Sequence, residues 1–198
     1  MQMEVMELGL YQTNCYIVWE GKDGIVIDPG YDAVRILARL KELGVVPNAV
    51  VLTHGHFDHV GAVGEVASAF DCPVYLAQED TKLPPRYTLG PIPCTDFLSD
   101  SEILTFGPIS MKVLHTPGHT PGSSCLFVGD WIFSGDTLFR DTCGRVDLPG
   151  GDYREMYRSL RRLYELEGDY FVYPGHGDAT TLERERKNNP YMRGAISQ

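Results

Sequence analysis

Short apolar runs alternate along this chain with stretches of helical period. Tyr16-Ile17-Val18-Trp19 and Gly24-Ile25-Val26-Ile27 read as two paired strands joined by a turn over 20–23 that contains Gly21. Over residues 32–43, Val34, Ile36, Leu37, Leu40 and Leu43 recur at helical spacing, and Gly44 supplies a C-terminal stop. Residues 49–53, Ala-Val-Val-Leu-Thr, predict a buried strand. Val60, Val63, Val66, Ala67 and Phe70 predict a second amphipathic helix, and Val74-Tyr75-Leu76 a further strand. The order β-β-α-β-α-β is an α/β pattern.

Residues 82–95 hold Pro84, Pro85, Pro91, Pro93 and Gly90 and predict irregular structure, either a binding rim or a surface excursion. A strand over 110–114 follows. Gly129-Asp130 then separates two apolar runs, 124–128 and 131–134, as a hairpin turn does. Residues 139–152 are polar and Gly-rich. Asp152 with Glu155 forms a capping signature ahead of the stripe Met156, Tyr157, Leu160, Leu163 and Tyr164. Residues 170–173 predict a last strand. Thr180 with Glu183 predicts the cap of a final helix that stops before Pro190.

The chemistry gathers where these strands end. His54-Gly55-His56-Phe57-Asp58-His59 puts three imidazoles and a carboxylate into one loop, and these are the nitrogen and oxygen donors that zinc and similar divalent ions accept. Alternation lets His54 and His56 point one way, with Asp58 joining them or turning toward His59. His119, Asp136 and His176 also follow predicted strands, the places where α/β folds collect ligands. Asp28 ends the strand over 24–27 and reads either as a turn former or as a carboxylate that orients a metal-bound His. His115 reads as structural or as a support to a ligand.

Composition narrows the field. The 198 residues suit one domain over 1–198 with a sizeable core, and 43% hydrophobic content argues against disorder. A formal net charge of −10 disfavours nucleic-acid binding. The five cysteines, Cys15, Cys72, Cys94, Cys125 and Cys143, are odd in number and show no CxxC pair, so reduced thiols in a cytoplasmic protein are expected. No signal-peptide pattern and no apolar run of membrane-spanning length is visible.

The order H-x-H-x-D-H, lone His, lone Asp, lone His resembles the metallo-β-lactamase fold superfamily over nearly the whole chain. Gly135-Asp136-Thr137-Leu138-Phe139, Cys143-Gly144-Arg145 and Pro174-Gly175-His176-Gly177 are most similar to its glyoxalase II group, the hydroxyacylglutathione hydrolases. The resemblance implies an α/β fold, an αβ/βα four-layer sandwich of two mixed β-sheets with helices on the outer faces. It implies two divalent metal ions, zinc first by donor type, with iron or manganese also suited. One ion would be held by His54, His56 and His119 and the other by Asp58, His59 and His176, with Asp136 bridging. A shared hydroxide would attack the thioester of a small-molecule substrate, with Asp58 aiming it. Arg145 falls where the family has a basic residue that touches the glutathione backbone. The C-terminal helical domain of full-length glyoxalase II has no counterpart here, which implies a more open site and leaves a different physiological thioester in view. The alternatives are a mononuclear iron oxidoreductase similar to persulfide dioxygenases, which needs His54 or His56 with His119 and Asp136, and a lactonase of the same fold. A β-lactamase is disfavoured by the absence of a signal-peptide pattern. A metal-binding structural or partner module is disfavoured by so full a ligand set in open loops, since structural sites are closed.

Overall fold

The structure is a computed structural model that describes residues 1–196. The first half of the chain forms β1 (Gln2–Leu8), β2 (Thr13–Glu20), β3 (Asp23–Ile27), α1 (Ala33–Leu43), β4 (Val46–Val51), α2 (Phe57–Val60), α3 (Val63–Phe70), β5 (Val74–Ala77) and β6 (Asp96–Leu98). The second forms β7 (Ile103–Phe106), β8 (Ile109–His115), β9 (Ser124–Val128), β10 (Trp131–Gly135), β11 (Leu138–Phe139), β12 (Thr142–Cys143), α4 (Tyr153–Tyr164), β13 (Phe171–Pro174), β14 (Thr180–Thr181), α5 (Leu182–Asn188) and α6 (Pro190–Ala195).

Two six-stranded mixed sheets result, in the orders β1-β2-β3-β4-β5-β6 and β14-β13-β10-β9-β8-β7. In the first, β1–β3 run antiparallel and β3–β6 parallel. Strand alternation sorts the apolar residues into layers. Along β2, Tyr16 and Val18 enter the core between the sheets with Ile25, Ile27, Met111, Leu126 and Phe133. Their neighbours Cys15, Ile17 and Trp19 face outward and pack under Ile36 and Leu40 of α1 and Val63 and Val66 of α3. The second sheet does the same beneath α4, α5 and α6, where Ile132 and Val172 meet Met156, Leu160, Leu163, Leu182 and Met192. This is the expected αβ/βα sandwich.

Several elements differ from the sequence reading. The edge strands β1, β6 and β7 are absent from it, since their exposed alternate residues break the apolar runs. Strand β4 starts earlier than 49, at Val46, and ends at Val51. The helix expected over 60–70 is α3, which starts at Val63, and it is preceded by α2, a single turn that carries Asp58 and His59, so these two candidate ligands are helical rather than in a loop. The final cap is Thr181, whose hydroxyl accepts from Arg184 N, not Thr180, which donates to the buried Glu185. Pro190 begins α6, capped by Asn189, because proline suits the first turn of a helix. Residues 82–95 are irregular as expected, with 3-10 turns at Gln78–Lys82 and Pro85–Tyr87.

Close approach fixes where the ligand loop lies. A Cβ on Gly30, just after β3, would sit 1.6 Å from Asp58 O, and one on Gly61 would sit 2.4 Å from Gly30 O. Ala62 N also donates to Pro29 O at 2.9 Å. Gly30→Ala is therefore expected to lower stability by about 2 kcal/mol or more through overpacking. A chemical-denaturation midpoint equal to that of the parent would refute this contact.

Candidate metal centre

The strand ends of both sheets meet along one rim. The start of β2 reaches across to the loop after β13: Asn14 N donates to Gly175 O, Asn14 Nδ2 to Pro174 O and Gly177 O, and Tyr16 OH to Pro174 O at 2.6 Å. Ser124 N donates to Thr53 O, tying β9 to the residue that precedes His54. These cross-sheet bonds bring loop 54–59, His119, Asp136 and His176 together.

The imidazoles are aimed from behind. His119 Nδ1 donates to Arg145 O at 2.7 Å and His176 Nδ1 to Tyr11 O at 3.0 Å. A carbonyl oxygen only accepts, so each ring presents its Nε2 lone pair forward. Asp28 acts likewise on His59, accepting from its Nδ1 at 2.9 Å while also accepting from Thr53 N and Thr53 Oγ1. Because the Thr53 hydroxyl donates to Asp28, it accepts from His54 Nδ1 at 3.1 Å, and His54 Nε2 faces the site. Asp28, His54 and His59 do come close enough to enclose a cation. The Asp28 oxygens are already filled by Thr53 and His59, so this trio is a support and not a third site. Asp28 has features of both readings: its φ is 50°, as in a turn, and its carboxyl accepts from His59 Nδ1.

Two donor groups face each other. His54, His56 and His119 offer three ring nitrogens, and Asp58, His59 and His176 offer two nitrogens and an oxygen, each set within 4.8 Å. Asp136 lies between: its Oδ2 is 3.5 Å from His119 Nε2 and 3.7 Å from His176 Nε2, and its Oδ1 is 3.5 Å from His59 Nε2. Asp58 turns toward the second set, with Oδ2 at 3.3 Å from His176 Nε2 and 3.7 Å from His59 Nε2. His54 Nε2, His56 Nε2 and Asp136 Oδ1 are buried without a hydrogen-bond partner. Within the first group it is His56 Nδ1 that meets His119, at 2.8 Å from its Nε2; this close nitrogen pair, with the orphaned His54 Nε2 and Asp136 Oδ1, is what a divalent cation relieves. The residues present fit such an ion.

Electrostatics separate the two groups. Burial and the surrounding imidazoles hold His54 well below the ordinary histidine value, and the same causes bring His56 down to about 4. These rings are neutral and ready to ligate. Burial alone would also lower His59, but Asp28, Asp136 and Asp58 outweigh it and raise His59 to about 9. Burial works against the Asp58 carboxylate too, yet the hydrogen bond and charge of His176 and the charge of His59 leave it well below the usual range. In metal-free protein the second group therefore holds a proton on His59 that an ion must displace.

Sequence reasoning passed over Asp80. This fully buried carboxylate accepts from Gly55 N at 2.8 Å, Thr120 Oγ1 at 2.8 Å and Gly122 N at 2.6 Å. It thus joins the backbone between His54 and His56 to the residues that follow His119. No local pattern marks it, because its partners lie 25 to 42 residues away. Thr53, Asn14 and the carbonyl of Tyr11 escaped for the same reason. His115 is structural: its Nε2 donates to Pro121 O, and its backbone is held by Asp100 and Arg162 at the outer surface. Arg145 lines the main cavity, about 600 Å³, with Tyr11, Tyr87, Phe139 and Leu148, but its guanidinium is clasped by Asp147 through two bonds of 2.7 Å. The five cysteines are all free thiols, and among the described residues no helix is long and apolar enough to cross a membrane.

Two facing sheets and a His/Asp centre at their common rim define a metallohydrolase-type domain. The chain belongs to the Metallo-beta-lactamase superfamily, whose profile matches residues 8–176. It is 34% identical over 208 residues to the Hydroxyacylglutathione hydrolase GloC of Haemophilus influenzae, covering 97% of this chain and 98% of that protein. Among solved structures it is similar to the BLEG-1 B3 metallo-beta-lactamase, with TM-score 0.88, 37% identity and coverage of 96% of this chain and 99% of that one. It is also similar to TTHA1623 in a di-iron-bound form, with TM-score 0.84, 40% identity and coverage of 95% and 99%.

Asp80→Ala is expected to cost about 2 kcal/mol of stability by leaving the Gly55 and Gly122 amide N–H groups unsatisfied, while the Thr120 hydroxyl keeps Ser123 Oγ at 2.8 Å. Loosening the first donor group should also weaken metal binding there by roughly 10–100-fold, as loss of an orienting partner does. Metal analysis after dialysis, beside a urea melt, checks both. Full metal retention with a parent-like midpoint would remove Asp80 from this role.

Proposed function

We propose that the protein is a binuclear metallohydrolase that cleaves small-molecule thioesters, related in activity to hydroxyacylglutathione hydrolases. The observation that carries this reading is Asp136, whose two oxygens face both donor groups at once. His54, His56 and His119 would hold one ion, Asp58, His59 and His176 the other, and Asp136 would touch both. Zinc suits this donor set, and the di-iron form of TTHA1623 supports iron as an occupant. Bound there, the ions supply a hydroxide at neutral pH and charge to polarise a carbonyl.

The chain's own residues do the rest. Asp58, kept ionised and accepting from Thr13 Oγ1 at 3.3 Å, takes a hydrogen bond from the attacking water and points its oxygen at the acyl carbon. The C–O bond forms first, placing negative charge on the former carbonyl oxygen, and the C–S bond breaks as the carbonyl re-forms. The sulfur leaves as thiolate or thiol, and the acyl group leaves as a carboxylate. Asp28, Thr53 and the carbonyls of Tyr11 and Arg145 keep the imidazoles from turning. Tyr11, Phe57, Tyr87, Phe139 and Leu148 wall the substrate against bulk water. The GloC relative supports the thioester class. A small molecule in a cavity on a chain of net charge −10, and not a nucleic acid, is the partner this reading takes. The BLEG-1 relative favours β-lactams as a second substrate class, because amide-ring opening needs the same attack.

The test is a panel of thioesters, lactones, a β-lactam and glutathione persulfide on metal-quantified protein. Thioester hydrolysis with two ions per chain is expected, and Asp136→Ala should lose both metal and turnover. Oxygen uptake with persulfide and one iron per chain would replace this reading with the oxidoreductase one. Arg145 is the proposed contact for a substrate carboxylate, in competition with Asp147. Arg145→Ala should raise KM for carboxylate-bearing thioesters more than for neutral ones, and Asp147→Asn should lower it several-fold by freeing the guanidinium. Equal effects on charged and neutral substrates would remove Arg145 from the substrate site.

A further inference from the structure

A second, smaller cavity of about 110 Å³ adjoins the metal centre. Apart from Phe57 and Asp58 of α2, its lining comes from three separated segments: Leu8, Leu10 and Tyr11 around the β1–β2 turn, Tyr31 after β3, and Leu89 in the proline-rich stretch. Asp58 and Thr13 supply its polar side chains, and their hydroxyl and carboxylate are already turned to each other and to His176. The cavity shares three walls with the main one, Tyr11, Phe57 and Asp58. Tyr11 and Phe57 meet edge to face at 5.1 Å, forming the partition between the two spaces.

The rim of this cavity is unusually apolar. Leu10 is 98% exposed, Leu89 71%, Tyr31 63% and Tyr11 61%. Singly exposed apolar residues are ordinary, but four large ones around one opening mark a binding surface. Gln12 and Leu89, in two of these segments, have left-handed φ values of 54° and 58°, which cost energy for residues with side chains. The volume is about that of four methyl-sized groups, if each takes roughly the 30 Å³ share of a water.

Position selects the occupant. In the proposed reaction the attacked carbon lies beside the oxygen held at Asp58, and Asp58 is a wall of both cavities. The acyl chain starts at that carbon. The leaving thiol must run the other way, toward Arg145 and Leu148, which line only the main cavity. We propose that the cavity between the β1–β2 turn, Tyr31 and Leu89 is the acyl subsite, and that it selects thioesters of short unbranched aliphatic acids of about four carbons. This inference rests on the thioesterase reading and names its acyl class.

The experiment measures kcat/KM of the metal-loaded protein on acetyl, butanoyl and octanoyl thioesters of one common thiol. Burial of each added methylene should raise kcat/KM about fourfold, giving butanoyl a lead of about fifteenfold over acetyl for its two extra methylenes, with no further gain at octanoyl. Leu89→Ser and Tyr31→Ser should each cut the butanoyl-to-acetyl ratio at least threefold. A flat series, or a ratio that neither variant moves, overturns the proposal. So does a change of oligomeric state by sedimentation in these variants with the ratio intact, which would make the patch a contact between copies of the chain. Calorimetric binding of butanoate against acetate, the product class, separates the two claims. No thioester turnover with a butanoate preference that Leu89→Ser abolishes sinks the thioesterase reading alone. Equal binding of the two acids sinks the subsite.

Discussion

The structure depends on one electrostatic constraint: ring nitrogens and carboxylate oxygens are held face to face in a largely buried space with their lone pairs converging. Left to themselves these groups would turn toward protons or water. Four of the five rings do not turn, because their far side is already engaged; His56 has no such partner. Tyr11 O and Arg145 O accept from His176 and His119, and Asp28 accepts from His59 and, through Thr53, governs His54. The partners are two backbone carbonyls, which only accept, the Asp28 carboxyl, and the Thr53 hydroxyl, whose own proton goes to Asp28. Their chemistry therefore sets the tautomers.

Holding those partners still is the task of the sandwich. Both sheets end at the same rim, and the core between them is aromatic and β-branched, with Tyr16, Phe133 and Tyr173 in mutual contact across it. Tyr16 also sends its hydroxyl to Pro174 O, two residues before His176. One residue thus links the apolar core to the second donor group. Asp80 plays the corresponding part for the first group, with its burial cost offset by three hydrogen bonds. Gly30 and Gly61 add the close approach that seats the one-turn helix carrying Asp58 and His59.

The two donor groups are chemically unequal. The first is made of imidazoles alone, and burial keeps them neutral. The second contains Asp58 beside His59 and His176, so charge pairing keeps the carboxylate ionised and a proton on His59. The metal-free chain is thus closer to its loaded form at the first group than at the second. Around this centre the surface is graded, with apolar residues on the side of the β1–β2 turn and the Arg145–Asp147 pair on the other. A substrate with one apolar arm and one polar arm matches that gradient.

Much of this was legible in the order of residues. The donor spacing, the strand ends that carry it, and the helices α1 and α4 with the Gly44 stop and the Asp152 cap follow from local periodicity and donor chemistry, while the sandwich class came from the family resemblance. The edge strands were not, since β1, β6 and β7 owe their pairing to neighbours rather than to their own apolar content. Nor was the break between α2 and α3, which Gly30 and Pro29 impose from outside. By itself the sequence picked out the side chains that converge at the rim, because donor type and strand-end spacing are local properties. Tertiary structure alone decided that Asp80 clasps two distant loops, that Asp58 turns to His176 rather than His54, that Asp147 competes for Arg145, and that three remote segments enclose an apolar pocket. Each of these depends on the distance between parts of the chain that only packing brings together.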